Sequence, residues 1–583
     1  MDMRGMQNRM TRRSAGVAGG ATLATWLGFG WLGAQGTAPD TIYVNGTIVT
    51  MDAQSRSVAA VATRGDRIVA VGTDVAIRRL ADDRTRVVDL QQRTMLPGFI
   101  DAHSHFPGSG TAALFTVNLS SPPLGPINSV ENMVAALRQK ARTLPAGQWI
   151  RGGGYDQTLL REGRHPTRQE LDRASTDHPI LITHASGHLS VANSRALQLA
   201  GLTKDTPQPQ GGVIQKDPKT GELTGLLEEV GGMVGRLIPP QTPAEIQQAI
   251  DWSVRDYASN GVTTATLAGG GISTALRQAG KEGRLPFRIV AMIPGAARPD
   301  GGAAPTIVPA ARLGDEMLKS GLTVKLMQDG SIQGFTGYLS KPYHTPYNDD
   351  PQYRGYPREP RAALVERVKA YHRAGYQIAT HANGDAAIDD VLFAYREALA
   401  ERPRPDHRFR VEHAQMTRDD QLDTMKALGV SPSFFVSHTY FWGDQHRDIF
   451  QGPERGAHIS PLAAAVARGI RFSIHLDSNV TPMRPLQAVW SAVNRLTRTD
   501  RVLGPDQRIP PLQALGAVTI DAAWQAHDDT IKGSIETGKL ADFVILAENP
   551  LVGDPRRIKD IHVMETIVGG RSIYRRESGR TDR

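Results

Sequence analysis

The chain has 583 residues, 40% of them hydrophobic and 22% charged, the balance of an ordinary soluble protein at a length that calls for two or three structural units. A formal charge of +8 and a pI near 9.6 raise nucleic acid as a partner, but Lys and Arg are dispersed, and the one dense basic cluster is the tail from Arg571 to Arg583, which speaks for a solvated basic surface. There is no cysteine, which excludes disulfides, a lipidated cysteine and thiolate metal ligands.

Residues 1–38 are expected to be an export signal. Arg4, Arg9, Arg12 and Arg13 form a basic region, Ala15 to Leu32 is apolar and rich in small residues, and Ala34 to Ala38 offers small residues for cleavage. Thr11-Arg12-Arg13 is similar to a twin-arginine signal, although Ser14-Ala15-Gly16 stands where Phe-Leu is usual. This predicts a bacterial periplasmic or secreted protein with no stable membrane anchor once the segment is removed.

From Thr41 to Thr50 the pattern predicts strand, Asn-Gly turn, strand, and Arg67–Gly72 and Arg86–Leu90 continue it. Asp542–Leu546 and Ile561–Val568 are further strands near the other end. Two β-rich ends around one unit predict a composite sandwich from residues 39–97 and 536–583. Leu96-Pro-Gly-Phe-Ile-Asp-Ala-His-Ser-His-Phe106 is an apolar run closed by His103 and His105. Residues i and i+2 of a strand share a side, so the two imidazoles converge as metal ligands must.

Between Pro107 and about Pro240 no repeated helix–strand unit is clear, and residues 111–240 are expected to be an insertion. Within it, Gln148–Asp156, with Trp149, and Thr183–His188 are candidate substrate contacts, with packing or capping the alternative for Trp149 and His184. His188 with Asn193 is the preferred pair. Regularity then returns. Thr242-Pro-Ala-Glu245 is a capping box opening a helix to Asn260, and Gly261 and the strand Val262–Leu267 follow. The grammar recurs with Arg361–Arg373, Gly375 and a strand to His381; with Thr417–Leu428, Gly429 and Val430–Ser437; and with Ser460–Arg468, Gly469 and a strand to Asp477. Phe409–His413 likewise ends in histidine. Parallel βα units with polar residues at the strand ends predict a (β/α)8 barrel over residues 98–110 and 241–535, with a doubly wound sheet as the alternative.

His103, His105, His381 and His413, with Asp477 or His475, make an all-N/O set suited to Zn²⁺, with Mn²⁺, Fe²⁺ or Co²⁺ as alternatives. Alternation puts His475 and Asp477 on one face, so spacing does not separate them. His438, His475, Asp385 and Arg410 are expected to orient the ligands. Lys325, in the alternating stretch Thr323–Met327, is expensive on an inner face unless neutralised, or paired with Asp329 or Asp477.

The segments LPGFIDAHSHF, THASGHLSVANSRAL, GGVIQKDPKTGELTGLLEE, THANGDAAID, RVEHAQ and GSIETGKLADFVILAENPL resemble the metal-dependent amidohydrolase superfamily. They are similar to its amidohydrolase-3 branch of exoenzyme-like and N-substituted formamide deformylase-like hydrolases, from about Thr41 to about Gly570. The resemblance implies a TIM-like barrel, a small β-sandwich from both chain ends and an insertion over the barrel mouth. It also implies Asp477, not His475, as ligand and proton shuttle, and Lys325 carboxylated and bridging two metals, with His103, His105 and Asp477 on one side and His381 and His413 on the other. The expected reaction is hydrolysis of an amide, N-formyl or N-acyl C–N bond by metal-activated hydroxide, with Asp477 and Lys325 catalytic and His188, Asn193, Trp149 and His438 at the substrate. Ester or carbamate hydrolysis, deamination, or an inactive periplasmic binding protein are the alternatives. The expected partner is a small-molecule substrate and not nucleic acid, with assembly of like chains left open.

Overall fold

The computed structural model describes residues 38–269, 271–295 and 307–577. Apart from Ala38, the expected export segment lies outside the described residues.

Eight parallel strands carry the central unit among the described residues: β1 (Phe99–Ile100), β2 (Val262–Leu267), β3 (Arg288–Ala291), β4 (Thr323–Met327), β5 (Gln377–Ala382), β6 (Arg410–His413), β7 (Ser431–Phe434) and β8 (Ser473–Ile474). β1, β2 and β3 pair in sequence, as do β4 to β8. Beyond Met292, β3 continues as Ile293–Pro294, which pairs with β4. This is a TIM-barrel-like α/β fold whose backbone ladder runs as two sheets. Across the gap between β8 and β1, Asp477 N donates to His103 O at 3.1 Å and His105 N to Ser478 O at 2.8 Å. The polar ends of these two strands are therefore held side by side.

Local chemistry sets the helix limits. Pro243–Ser259 starts with the reciprocal Thr242–Glu245 capping box. It stops before Gly261, whose φ of +83° suits glycine and whose added Cβ would stand 2.7 Å from Val544. The glycine stop recurs where Arg361–Arg373 ends before Gly375 with φ +90° and Asp419–Leu428 ends at Gly429 with φ +71°. One core joins the strands to these helices through Phe99, Val262, Ile289, Val324, Ile378 and Val411, together with Val544 and Leu546 from the C-terminal sheet.

The expected strand, Asn-Gly turn and strand are present, but the two strands do not pair with each other. Thr41–Val44 pairs with Ala60–Arg64 and Arg86–Asp89, whereas Thr47–Val49 pairs with Ser57–Val58 and Thr94–Pro97. Asn45 explains the divergence: its N–H donates to the Asp74 carboxylate at 3.2 Å and its Nδ2 to Asp89 Oδ1 at 2.7 Å. The turn is tied to outside partners and crosses between two sheets. Those sheets share an apolar cluster containing Tyr43, Val61, Ile48, Met95, Phe543 and Ile567. A bidentate ion pair joins them to the barrel, Arg288 Nε to Asp542 Oδ2 at 2.6 Å and Nη2 to Oδ1 at 3.0 Å.

The stretch without visible rhythm contains a six-stranded mixed sheet, in the order Val213–Lys216, Leu223–Glu228, Leu189–Ala192, Ile180–His184, Ile150–Tyr155 and Val117–Asn118. It has its own core of Leu119, Met133, Ile150, Ile182 and Val191. Its strands mix parallel and antiparallel neighbours, and one is half glycine. A search for repeated parallel units passes over such an element. No helix among the described residues is long and apolar enough to cross a membrane.

Candidate metal centre

The ends of β1, β6 and β8 bring together His103, His413 and Asp477, which can each offer one donor atom within 4.8 Å of the others. All three are buried. Backbone geometry makes this convergence. Strict alternation would send Glu412 and His413 to opposite faces, but His413 has φ +69° and Asp477 φ +52°, conformations costly for non-glycine residues and concentrated at functional sites. At β6 the break in the pleat lets two consecutive side chains reach the same interior.

His103 is held on both sides. Its Nδ1 lies 2.5 Å from Glu412 Oε2, and Arg410 grips that carboxylate through Nε at 2.7 Å from Oε1 and Nη2 at 3.0 Å from Oε2. The arrangement fixes the proton on Nδ1 and leaves the Nε2 lone pair for a metal. His103 Nε2 faces Lys325 Nζ at 3.1 Å and Asp477 Oδ1 at 3.6 Å. His105, nearly half exposed, places Nε2 at 3.2 Å from the same Oδ1, an atom that makes no aligned hydrogen bond. A buried carboxylate oxygen without such a bond, set among imidazoles, fits a divalent cation. Burial pushes the Asp477 carboxyl up, but His105 and the charges of His475 and Lys325 outweigh it and hold the group below the usual carboxylate range. Burial, with Lys325 and neighbouring imidazoles adding to it, keeps His103 neutral, and burial together with His381, His103 and His475 does the same at His413. Neutral imidazole is the form that binds metal.

Lys325 is buried, and desolvation lowers its amine to about 8 against the pull of Glu412 and Asp477. It forms no ion pair within 4.0 Å with Asp329 or Asp477, the two partners weighed from sequence; its contact is His103. His381 Nε2 turns to Gly330 O at 3.0 Å and Asn383 Nδ2 at 3.0 Å, while its ring centroid lies 4.3 Å from that of His413. His475 has both nitrogens engaged, Nδ1 with Ser433 Oγ at 2.9 Å and Nε2 with His413 Nδ1 at 3.1 Å. Asp477 is thus the less committed of the two groups that alternation could not separate.

A sequence profile described as the Amidohydrolase family matches residues 86–574. The chain belongs to the amidohydrolase family. It is a hydrolase acting on carbon–nitrogen bonds other than peptide bonds. The amidohydrolase is 29% identical to N-substituted formamide deformylase of Arthrobacter pascens over 558 residues, 92% of this chain and 98% of that protein. It is 26% identical to the putative amidohydrolase YtcJ of Bacillus subtilis, over 91% of this chain and 99% of that one. A crystal structure of an uncharacterized metal-dependent hydrolase from Pyrococcus horikoshii superposes with a TM-score of 0.67 at 25% identity, covering 88% of this chain and 99% of the other.

In this amidohydrolase the centre opens into a cavity of about 1420 Å³, lined by His103, His105, Lys325, His381, His413 and Asp477 and by residues of the mixed sheet. His188 lines it, with Nδ1 at 2.9 Å from Glu229 Oε2. Arg358 Nη1 binds the same oxygen at 2.5 Å, and the His188 ring stands 4.9 Å from that of His381.

Three expected substrate contacts lie elsewhere. Asn193 is fully buried as a helix cap: Oδ1 accepts from Ile180 N at 2.9 Å and Ala196 N at 3.0 Å, and Nδ2 donates to Ser175 O at 3.1 Å and His178 O at 3.0 Å. Its hydrogen-bonding capacity is used. Trp149 precedes its strand and packs on the cluster of Leu181, Leu197 and Leu227, outside the cavity lining. His438 is buried between Phe435 and Trp442, with Nδ1 at 3.1 Å from His446 Nε2. Asp385, expected beside the ligands, instead binds Arg418 Nη1 at 3.0 Å and Ser340 N at 2.8 Å.

One carboxylate, Asp329, has a role other than the one weighed from the sequence, and another, Glu412, was missed. Asp329 accepts from Asn383 N at 2.9 Å, Gly384 N at 2.8 Å and Tyr338 N at 2.9 Å, and thereby fixes the loop after β5. Glu412 was hidden by assuming alternation, although the pair Arg410 and Glu412, opposite charges two residues apart on a strand, was visible. Glu412→Gln should weaken metal binding about 10–100-fold, the usual cost of losing such an orienting partner. Competition titration with a chelating dye measures this, and unchanged affinity would remove Glu412 from the centre.

Proposed function

We propose that this amidohydrolase is metal-dependent and splits an amide, N-formyl or N-acyl bond of a small molecule by adding water, releasing a carboxylic acid and an amine. The observation that carries the reading is the convergence of His103, His413 and Asp477 in the lining of a large cavity. Similarity to a named formamide deformylase and a metal-dependent hydrolase supports it. A divalent metal held there, with zinc the first candidate, lowers the pKa of water to about 7 and polarises a carbonyl oxygen.

The chain's own groups complete the chemistry. Asp477, ionised at neutral pH, accepts the proton of the attacking water and delivers it to the departing nitrogen. Glu412 and Arg410 keep His103 in the ligating tautomer. Lys325, a buried amine with its pKa lowered, is placed to react with CO₂ and so turn an unfavourable cation into an oxygen ligand. His105 and His381 complete the proposed ligand set. His188, braced by Glu229, reaches the cavity as a hydrogen-bond partner for substrate. We read residues 39–97 and 536–583 as one sandwich, residues 98–110 and 241–535 as the barrel, and residues 111–240 as the cover that selects the substrate.

Chelation should abolish turnover on a panel of N-formyl amines, amides and esters, and Zn²⁺, Mn²⁺ or Co²⁺ should restore it. Hydrolysis that survives exhaustive chelation would refute the metal-dependent reading, and turnover of esters alone would refute the C–N assignment. The proposed site of action is the periplasm or exterior, reached through the twin-arginine route. Changing Arg12 and Arg13 to Lys should leave the precursor in the cytoplasm, as cell fractionation with immunoblotting would show; unchanged delivery would exclude that route.

A further inference from the structure

In the stretch Gln148–Asp156 the side chain that reaches the cavity is Arg151, not Trp149. Its strand, Ile150–Tyr155, lies beside Ile180–His184, with Arg151 opposite Leu181 and Gly153 opposite Thr183. All four residues line the cavity, so one face of this sheet is a wall of it. Gly152 belongs to the opposite face, where an added Cβ would collide with Leu119 and Ile182. At Gly153 an added Cβ would meet only the Thr116 methyl, at 3.4 Å. The wall is therefore a trough bare of side chains at Gly153, with a guanidinium beside it.

Among the described residues that guanidinium has no counter-charge within ion-pairing distance. Arg358 and Arg367 also line the cavity, but Arg358 is paired with Glu229 and Arg367 with Glu359. The Arg151 side chain makes no hydrogen bond and no ion pair within 4.0 Å among the described residues. The carboxylate whose field reaches it, Glu245, is committed to its own helix cap, accepting from Thr242 N at 2.7 Å and Oγ1 at 2.8 Å. Burial has lowered the Arg151 guanidinium below its ordinary value, with Glu245 only partly opposing. A partly desolvated arginine facing a cavity without a partner carries an unmet cost, and its planar fork matches a carboxylate in two hydrogen bonds. Asp256 is the competing cue. It lines the same cavity, and although burial raises its carboxyl to about 6 against the pull of Arg484, it is still mostly ionised at neutral pH, so a cationic substrate group is the outcome the test must separate.

We infer that Arg151 is the anion-recognition residue of the cavity, and that the substrate is an N-acyl or N-formyl compound carrying a carboxylate away from the bond that is cut. The inference rests on the proposed C–N hydrolysis for its chemistry, and on the cavity alone for its charge.

The test uses ω-formamido and ω-acetamido carboxylates of graded chain length, with alcohol and ammonium analogues of the same lengths. At the matching length the metal-loaded wild type should favour the carboxylate over the alcohol about 100-fold in kcat/KM, the scale of a charge-assisted hydrogen-bonded pair. Arg151→Gln should collapse that ratio to less than about threefold, mainly through KM. Arg151→Lys, which keeps the charge and loses the fork, should retain an intermediate preference and guards against a misfolded glutamine variant. A ratio untouched by Arg151→Gln in folded protein overturns the assignment, as does preference for the ammonium series, which would point to Asp256. If no compound is hydrolysed, the proposed reaction has failed while the subsite is still judged by calorimetry of the carboxylates. Binding lost in Arg151→Gln upholds the subsite; equal binding, or none to wild type, overturns it.

Discussion

Asp477→Asn should lower kcat/KM by at least about 10³-fold while the protein stays folded, the range expected when a positioned proton-transfer group is removed. The substitution keeps the size of the side chain. Asparagine also tolerates the φ of +52° at this position, and the Asp477 N–H bond to His103 O is made by the backbone. What is lost is a carboxylate that His105, His475 and Lys325 keep ionised against its burial. The variant can no longer take a proton from water and carry it to the leaving nitrogen. Steady-state kinetics on an amide found by the panel, circular dichroism and metal analysis together make the test. Activity within tenfold of wild type, with metal retained, would remove Asp477 from proton transfer.

Lys325→Met separates function from stability. Activity should fall by about 10³-fold or more, as for other members of a catalytic set that acts as a unit. The metal-free variant should melt above the metal-free wild type. The sign follows from the amine. Its value falls from an ordinary 10.5 to about 8 in the fold, so the charged form is disfavoured there. The penalty is fully present below about 8 and disappears as pH rises towards the unfolded value. Methionine fills similar volume without the charge and should recover about 1–3 kcal/mol at neutral pH. Calorimetry at neutral and at alkaline pH would show the gain shrinking at the higher one; a variant that melts lower at both would mean the lysine contributes to the fold. In Lys325→Ala, added short carboxylates should restore part of the activity by taking the place of the proposed carbamate. Two metal equivalents in wild type against fewer in the variant would support the bridging role, and equal metal content would count against it.

Much of this molecule could be read from residues near one another in the chain. The Thr242–Glu245 capping box with Pro243, the helix Arg361–Arg373 and the turns at Gly261 and Gly429 follow from contacts within a few residues, where short-range sterics and capping decide. The approach of His103, His413 and the end of the strand that carries His475 and Asp477 was also legible, because each closes an apolar strand and parallel βα units deliver such ends to one edge, whereas the choice of Asp477 came from the family resemblance. Other features were settled only by long-range packing. Asn45-Gly46 has the local signature of a hairpin, yet partners at Asp74 and Asp89 send its two strands to different sheets. Asn193 looked like a ligand-facing amide beside His188, but four backbone groups from separate segments consume it. Glu412 meets His103 because left-handed backbone at His413 breaks the pleat, and no periodicity announces such a residue. That Arg151 has no partner among the described residues is likewise a property of the folded chain, since a sequence names the residues present and only the packed structure shows which of their charges are paired.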